Sequence, residues 1–145
     1  MSSDGASRVK PCRKKASFHL PTETNPNPKD NGNRYSLNDE INVAISQVED
    51  KWGGSSFEGF YTNGVGSYRM KKGELSGAVV VDLYRRFFVV FNDDTFDSDV
   101  ATLKGILEEF RGNTGKNGAP IQESIYLEIE TVEVHFVGDD DSRQP

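Results

Sequence analysis

The chain has 145 residues, enough for one domain with a core of its own, and no apolar run approaches the length of a membrane span. Its net charge of −6 is split: Arg8, Lys10, Arg13, Lys14 and Lys15 stand against only Asp4 in the first fifteen residues, and the remainder is strongly acidic. An acidic body excludes phosphate-backbone recognition as the main role, so neither nucleic acid nor membrane is the expected partner. Cys12 is the only cysteine, which rules out an intramolecular disulfide and a cysteine metal site and fits a cytoplasmic location. The basic amino-terminal residues have no apolar segment behind them, so a secretory signal is not expected.

Taken in chain order, residues 1–14 are expected to form a disordered basic arm. "KASFHLP" (15–21) alternates Phe18 and Leu20 with Ser17 and His19, a short strand stopped by Pro21. "TETNPNPKDNGNR" has loop composition. "YSLNDEINVAISQVEDKWGG" predicts a helix: Leu37, Ile41, Ala44, Ile45, Val48 and Trp52 fall on one stripe, Ser36 is the expected N-cap, and Gly53–Gly54 ends it. Residues 57–70 and 78–92 have strand composition and are joined by "KKGELSG", the second, "AVVVDLYRRFFVVFN", reading more strongly. Asn63–Gly64 is a hairpin-type turn signal. "DVATLKGILEEFRG" predicts a second helix with Val100, Leu103, Leu107 and Phe110 on one face, Ser98 as N-cap and Gly112 just past its end. "ESIYLEIETVEVHFV" is the last strand. Its apolar phase slips between Ile129 and Val132, which predicts a bulge near Glu130–Thr131. Residues 15–138 thus make one α+β domain, and 139–145 an acidic tail expected to be disordered.

The order β-α-β-β-α-β points to a ferredoxin-like fold, a four-stranded antiparallel sheet with two helices on one face. In that layout the first strand lies between the third and fourth, and the second and fourth are edges. Val79, Val81, Leu83, Phe87, Val89 and Phe91 are then expected in the core. Asp82, Tyr84, Arg86, Phe88 and Val90 fall on the open face.

Motifs for chemistry are few. A phosphate-cradling loop requires Lys and Ser/Thr after its last glycine, but Val65 and Gly66 follow Gly64, and a strand rather than a helix comes next. "NDDTFDSD" (92–99) lacks the Gly and the Glu of a calcium loop, and carboxylates near a helix N-terminus have an ordinary role there. No cofactor or metal is expected. The histidines are His19 and His135, and only His19 falls on the open face near polar and aromatic groups.

"GFYTNGVGSYR", "VVVDLYRRFFVVFND" and "QESIYLEI" together resemble a widespread family of small uncharacterised ferredoxin-like α+β proteins. Its pattern is a strand ending near G-x-[WY], an Asp-bearing strand, a helix, and Q-E-[SA]-[IV]-[YL] in the last strand. The resemblance runs from about Ser17 to Val137. Gly64, Gly66, Tyr68, Asp82, Gln122, Glu123, Ser124 and Tyr126 carry it, and the chain departs from it in the long loop after the first strand and in Tyr68, where Trp is commoner. It implies the fold and no established activity. Some ferredoxin-like domains, the monooxygenases of antibiotic biosynthesis among them, dimerise sheet-to-sheet around a small-molecule pocket, which is an analogy of fold.

The expected function is therefore binding, with self-association through the open sheet face. An alternative is a small-molecule enzyme with its pocket on that face, His19 transferring a proton, Arg86 holding an anionic substrate, and Tyr84, Tyr126 and Glu128 completing the wall. A third is an accessory protein whose basic arm touches nucleic acid or an acidic partner.

Overall fold

In a computed structural model, which describes residues 10–53, 62–135 and 137–138, the chain is α+β. Strand β1 (Lys10–Pro21) leads through a long loop into helix α1 (Asn38–Trp52). Strands β2 (Thr62–Arg69) and β3 (Val79–Asn92) form a hairpin, followed by helix α2 (Phe96–Gly112), a second long loop and strand β4 (Leu127–Val134). The four strands make one antiparallel sheet in the order β2-β3-β1-β4, so β1 is central beside β3, and β2 and β4 are edges.

Both helices lie on one side of the sheet because each carries one apolar stripe and the sheet offers one matching face. Ile41, Ala44, Val48 and Trp52 of α1 and Leu103, Ile106, Leu107 and Phe110 of α2 are buried together with Ala16, Phe18, Leu20, Phe87, Val89 and Phe91. Phe18 stacks on Phe87, and Trp52 tilts against Phe91. Trp52 also donates its indole N–H to Asp99 at 3.2 Å, and Thr95 donates its hydroxyl to the same carboxylate at 2.8 Å. The acids of the 92–99 stretch therefore serve in part to join the two helices.

Several expectations are corrected. The first strand begins at Lys10, so Arg13 and Lys14 belong to the sheet rather than to an arm. Arg13 is buried, Lys14 donates to Thr131 and lies over the Phe96 ring, and Lys15 lies over Phe88 near Glu130. Asn63–Gly64 is not a turn, because "TNGVGSYR" pairs residue by residue with β3 from Thr62↔Arg86 to Arg69↔Val79. The hairpin turns instead in "KKGELSG", the stretch expected to join the two strands, where Gly73 and Gly77 take the positive φ that a turn requires. The last strand stays in register from Phe18↔Leu127 to Arg13↔Val132, and the irregularity lies beyond, between Arg13 and Lys10. Val132 pairs with Arg13 on the face away from the helices, and that face is not open throughout, since Arg13, Ser17 and the expected open-face residue Phe88 are buried there. The second long helix starts at Phe96, which leaves Ser98 inside it and Gly112 as its last residue. Ser36 accepts from the Asn38 N–H at 3.2 Å, although Leu37 holds the cap position. The arm residues 1–9, the tail 139–145 and the strand expected over 57–61 lie outside the described residues, as does the side chain of Cys12.

The largest correction concerns the outer half of the hairpin. Val79, Val81 and Leu83 do share a face with Phe87, Val89 and Phe91, but each is more than half exposed, as is Val65 opposite Leu83. The buried residues of this half are Val80 and Asp82, on the other face. The helices stop short of the hairpin's end. There the two long loops, 22–37 and 113–126, cover the face that the helices do not.

Candidate functional site

The open face is built around a row of rings. His19 on β1 stacks against Tyr84 of β3 at 4.2 Å between ring centroids and 12° between planes. On its other side it stacks against Tyr126, just before β4, at 4.5 Å and 22°. The His19 backbone N–H donates to the Tyr126 carbonyl at 3.2 Å, carrying the β1–β4 pairing one step past the strand and placing that ring. Across the ladder Tyr84 is paired with Gly64, and Gly66 lies two residues on. A Cβ at Gly66 would sit 3.5 Å from the Tyr84 Cε2, in contact with the ring edge.

Beside this row lies a buried polar network. The Asp82 carboxylate accepts from the Arg34 guanidinium and, at 3.0 Å, from the Gln122 side-chain amide. Arg34 also donates to the carbonyls of Thr24 and Val81, at 2.7 and 2.6 Å. The Gln122 amide reaches the Tyr68 oxygen at 3.3 Å, Tyr68 in turn donates to the Asn25 side chain, and Asn25 donates to the Ile121 carbonyl at 3.2 Å. These bonds tie both long loops to the hairpin. They exist because an acid at Asp82, buried on a strand, must be paired to avoid a large desolvation cost. The Gln122 side-chain oxygen is buried and has no hydrogen-bond partner among the described residues.

Between the aromatic row and the polar network lies a cavity of about 280 Å³. His19, Tyr84 and Tyr126 form one wall, Gly66 lies beneath, Pro21 closes a corner, and Tyr68, Asp82, Gln122 and Ser124 supply the polar end. Burial and the neighbouring Arg86 push the His19 pKa below its ordinary value, against a smaller opposing pull from Glu128, so the ring is neutral near neutrality. Burial, aided by Asp82, pushes the Tyr68 phenol up to about 12, so it remains protonated and a donor.

Of the five expected site residues, His19, Tyr84 and Tyr126 meet in the cavity. Arg86 and Glu128 do not line it. Both act on His19 through their charge, and Arg86 makes a long 3.4 Å contact with the Ser17 hydroxyl. Sequence reasoning about function missed Tyr68, Gln122 and Ser124, and treated Asp82 only as an open-face residue. A signal was nonetheless available. Gly66, Tyr68, Asp82, Gln122, Ser124 and Tyr126, six of the positions that carried the family resemblance, all line this one cavity.

Among the described residues no group of three or more His, Cys, Asp or Glu side chains is placed to hold a metal ion. The arrangement offers flat apolar surface, fixed donors and one unsatisfied acceptor. Compared with protein-family models, with curated proteins and with solved structures, the chain matches none.

Proposed function

We propose that the chain is a small-molecule-binding domain of the ferredoxin-like kind, with its pocket on the sheet face opposite the helices. The fold part of this reading rests on the strand order and on both helices sharing one side of the sheet. The observation that carries the function is the cavity bounded by three stacked rings on one side and a hydrogen-bonded polar network on the other. Its volume, about 280 Å³, is at the lower end of ligand pockets and suits a compact planar molecule.

Binding is favoured over catalysis by how the polar groups are used. Asp82 is committed to Arg34 and Gln122, Tyr68 stays protonated, and both faces of His19 are covered by rings. A single cysteine fits the cytoplasm as the proposed compartment, and no described helix is long and apolar enough to cross a membrane.

The test is a titration of isotope-labelled protein with planar heteroaromatic fragments, followed by NMR. Perturbations should gather on His19, Gly66, Tyr68, Tyr84, Gln122 and Tyr126 and disappear in Tyr84→Ala. A panel that perturbs none of these residues at millimolar concentration would overturn the reading. Turnover of a bound fragment that is lost in His19→Gln, with binding retained, would establish the enzyme alternative instead.

Self-association through the same face is a separate proposal, supported by Tyr126, which is 53% exposed at the pocket's edge. Sedimentation should then show a dimer that Tyr126→Glu dissociates, and a monomer at high concentration would remove it.

A further inference from the structure

Tyr68 and Ser124 line the pocket and also line a second, larger depression of about 750 Å³ between the hairpin and the loop after α2. The two cavities therefore meet at those side chains. The larger one has Met70, Pro120 and Ile121 in its walls, but its charged lining is what distinguishes it: Arg69, Lys71, Lys72 and Arg111 stand against one acid, Glu123.

That acid is already occupied. The Glu123 carboxylate accepts from the backbone N–H groups of Lys71 at 3.1 and 3.2 Å and of Lys72 at 3.0 Å, holding the hairpin end against the loop. Arg111 is engaged by Glu108 at 2.7 Å. The side chains of Lys71 and Lys72 are exposed and carry no ion pair among the described residues. In a chain of net charge −6, this depression concentrates positive charge directly beside an aromatic pocket. Gln122 lines the pocket, and its side-chain oxygen is buried with no hydrogen-bond partner among the described residues.

We propose that the two cavities form one site for a ligand with a planar nitrogen heterocycle at one end and an anionic group at the other, the chemistry of a nucleoside monophosphate. This rests on the pocket reading above and specifies its ligand class. The heterocycle packs against the His19–Tyr84–Tyr126 row and donates an N–H toward Gln122. The linking hydroxyls pass Tyr68 and Ser124. The anion is met by the ammonium groups of Lys71 and Lys72, with Arg69 beside them. Flexible lysine stems suit a phosphate as point charges, so no glycine cradle of backbone amides is needed.

The experiment is calorimetry on the full chain with three probes: adenosine, adenosine 5′-monophosphate and ribose 5-phosphate. The monophosphate is expected to bind at least about tenfold more tightly than adenosine at low ionic strength, as charge-assisted bonds allow. Lys71→Gln/Lys72→Gln should erase that advantage and leave adenosine unchanged, and raised salt should do the same. Tyr84→Ala should weaken both nucleoside probes. Equal, salt-insensitive binding of adenosine and its monophosphate would overturn the anionic half and leave the pocket reading standing. Ribose 5-phosphate binding as tightly as the monophosphate would overturn the aromatic half. No binding of any of the three, while other heteroaromatic fragments perturb the pocket, would overturn the inference alone. If the fragments also fail, the pocket reading falls with it.

Discussion

Replacing Asp82 by alanine removes the one acceptor shared by Arg34 and Gln122. The side chains of the ion pair are 10% exposed at Asp82 and 20% at Arg34, so water replaces the lost carboxylate only in part. Breaking a buried pair by deleting one partner costs about 3 to 5 kcal/mol. Arg34 keeps its bonds to the Thr24 and Val81 carbonyls, which places this case near the lower end, at about 3 kcal/mol. At a urea dependence of about 2 kcal/mol per molar, the unfolding midpoint should fall by about 1.5 M with the slope unchanged. Arg34→Met should cost a similar amount. The double variant Arg34→Met/Asp82→Leu should cost less than the two singles together, because it leaves no uncompensated charge behind. Urea unfolding of the four proteins, followed by circular dichroism, completes the cycle. An Asp82→Ala loss below about 1 kcal/mol, or singles that add to the double within about 0.5 kcal/mol, would refute the claim that this pair is buried and coupled.

Two alanine substitutions of glycine should differ sharply. At Gly53 a Cβ would lie 2.4 Å from the backbone oxygen of Glu49, so Gly53→Ala should cost about 1 to 3 kcal/mol in urea unfolding. At Gly66 it would meet Tyr84 at an ordinary 3.5 Å, and Gly66→Ala should stay within about 1 kcal/mol. An NMR titration of His19 should give a midpoint below its ordinary 6.5. Between 6.5 and that midpoint the unfolded chain holds a proton that the folded chain does not, so stability falls as pH drops through the window, and His19→Gln should remove this part of the slope. A midpoint at or above 6.5 would contradict burial of the ring. Tyr68 works in the opposite direction, since its folded pKa is raised from 10 to about 12. Its contribution is complete below 10 and lost as pH climbs toward 12, a decline that Tyr68→Phe should flatten in alkaline unfolding experiments.

The two helices were legible because a stripe at three- and four-residue steps matches the helical period and no strand period. Ile41, Ala44, Val48 and Trp52, and Leu103, Leu107 and Phe110, are buried as their spacing implied. The facing of β3 was legible only where the helices reach it. In "AVVVDL" both faces carry apolar residues, so alternation could not say that loops would bury Val80 and leave Val79 and Val81 to solvent. The glycines of β2 misled because Asn-Gly favours a turn, while Gly73 and Gly77, further along the chain, supplied the conformations that the real turn needed. The aromatic half of the pocket followed from strand alternation at His19 and Tyr84. The polar half did not, because Arg34 and Gln122 reach Asp82 across 48 and 40 residues from loops, and no local pattern records such a meeting.

The pocket draws its walls from His19 at one end of the described chain to Tyr126 near the other, through β1, β2, β3 and the loop before β4. Opening the hairpin or the 113–126 loop removes part of the cavity wall. A molecule bound there is thus coupled to the cooperative unfolding of the whole sheet and not to the fraying of one element. By mass action it should raise the apparent stability by about 2.7 kcal/mol at a hundredfold excess over its dissociation constant. The melting temperature of the intact chain is thereby a gauge of occupancy for any candidate compound, before its chemistry is known.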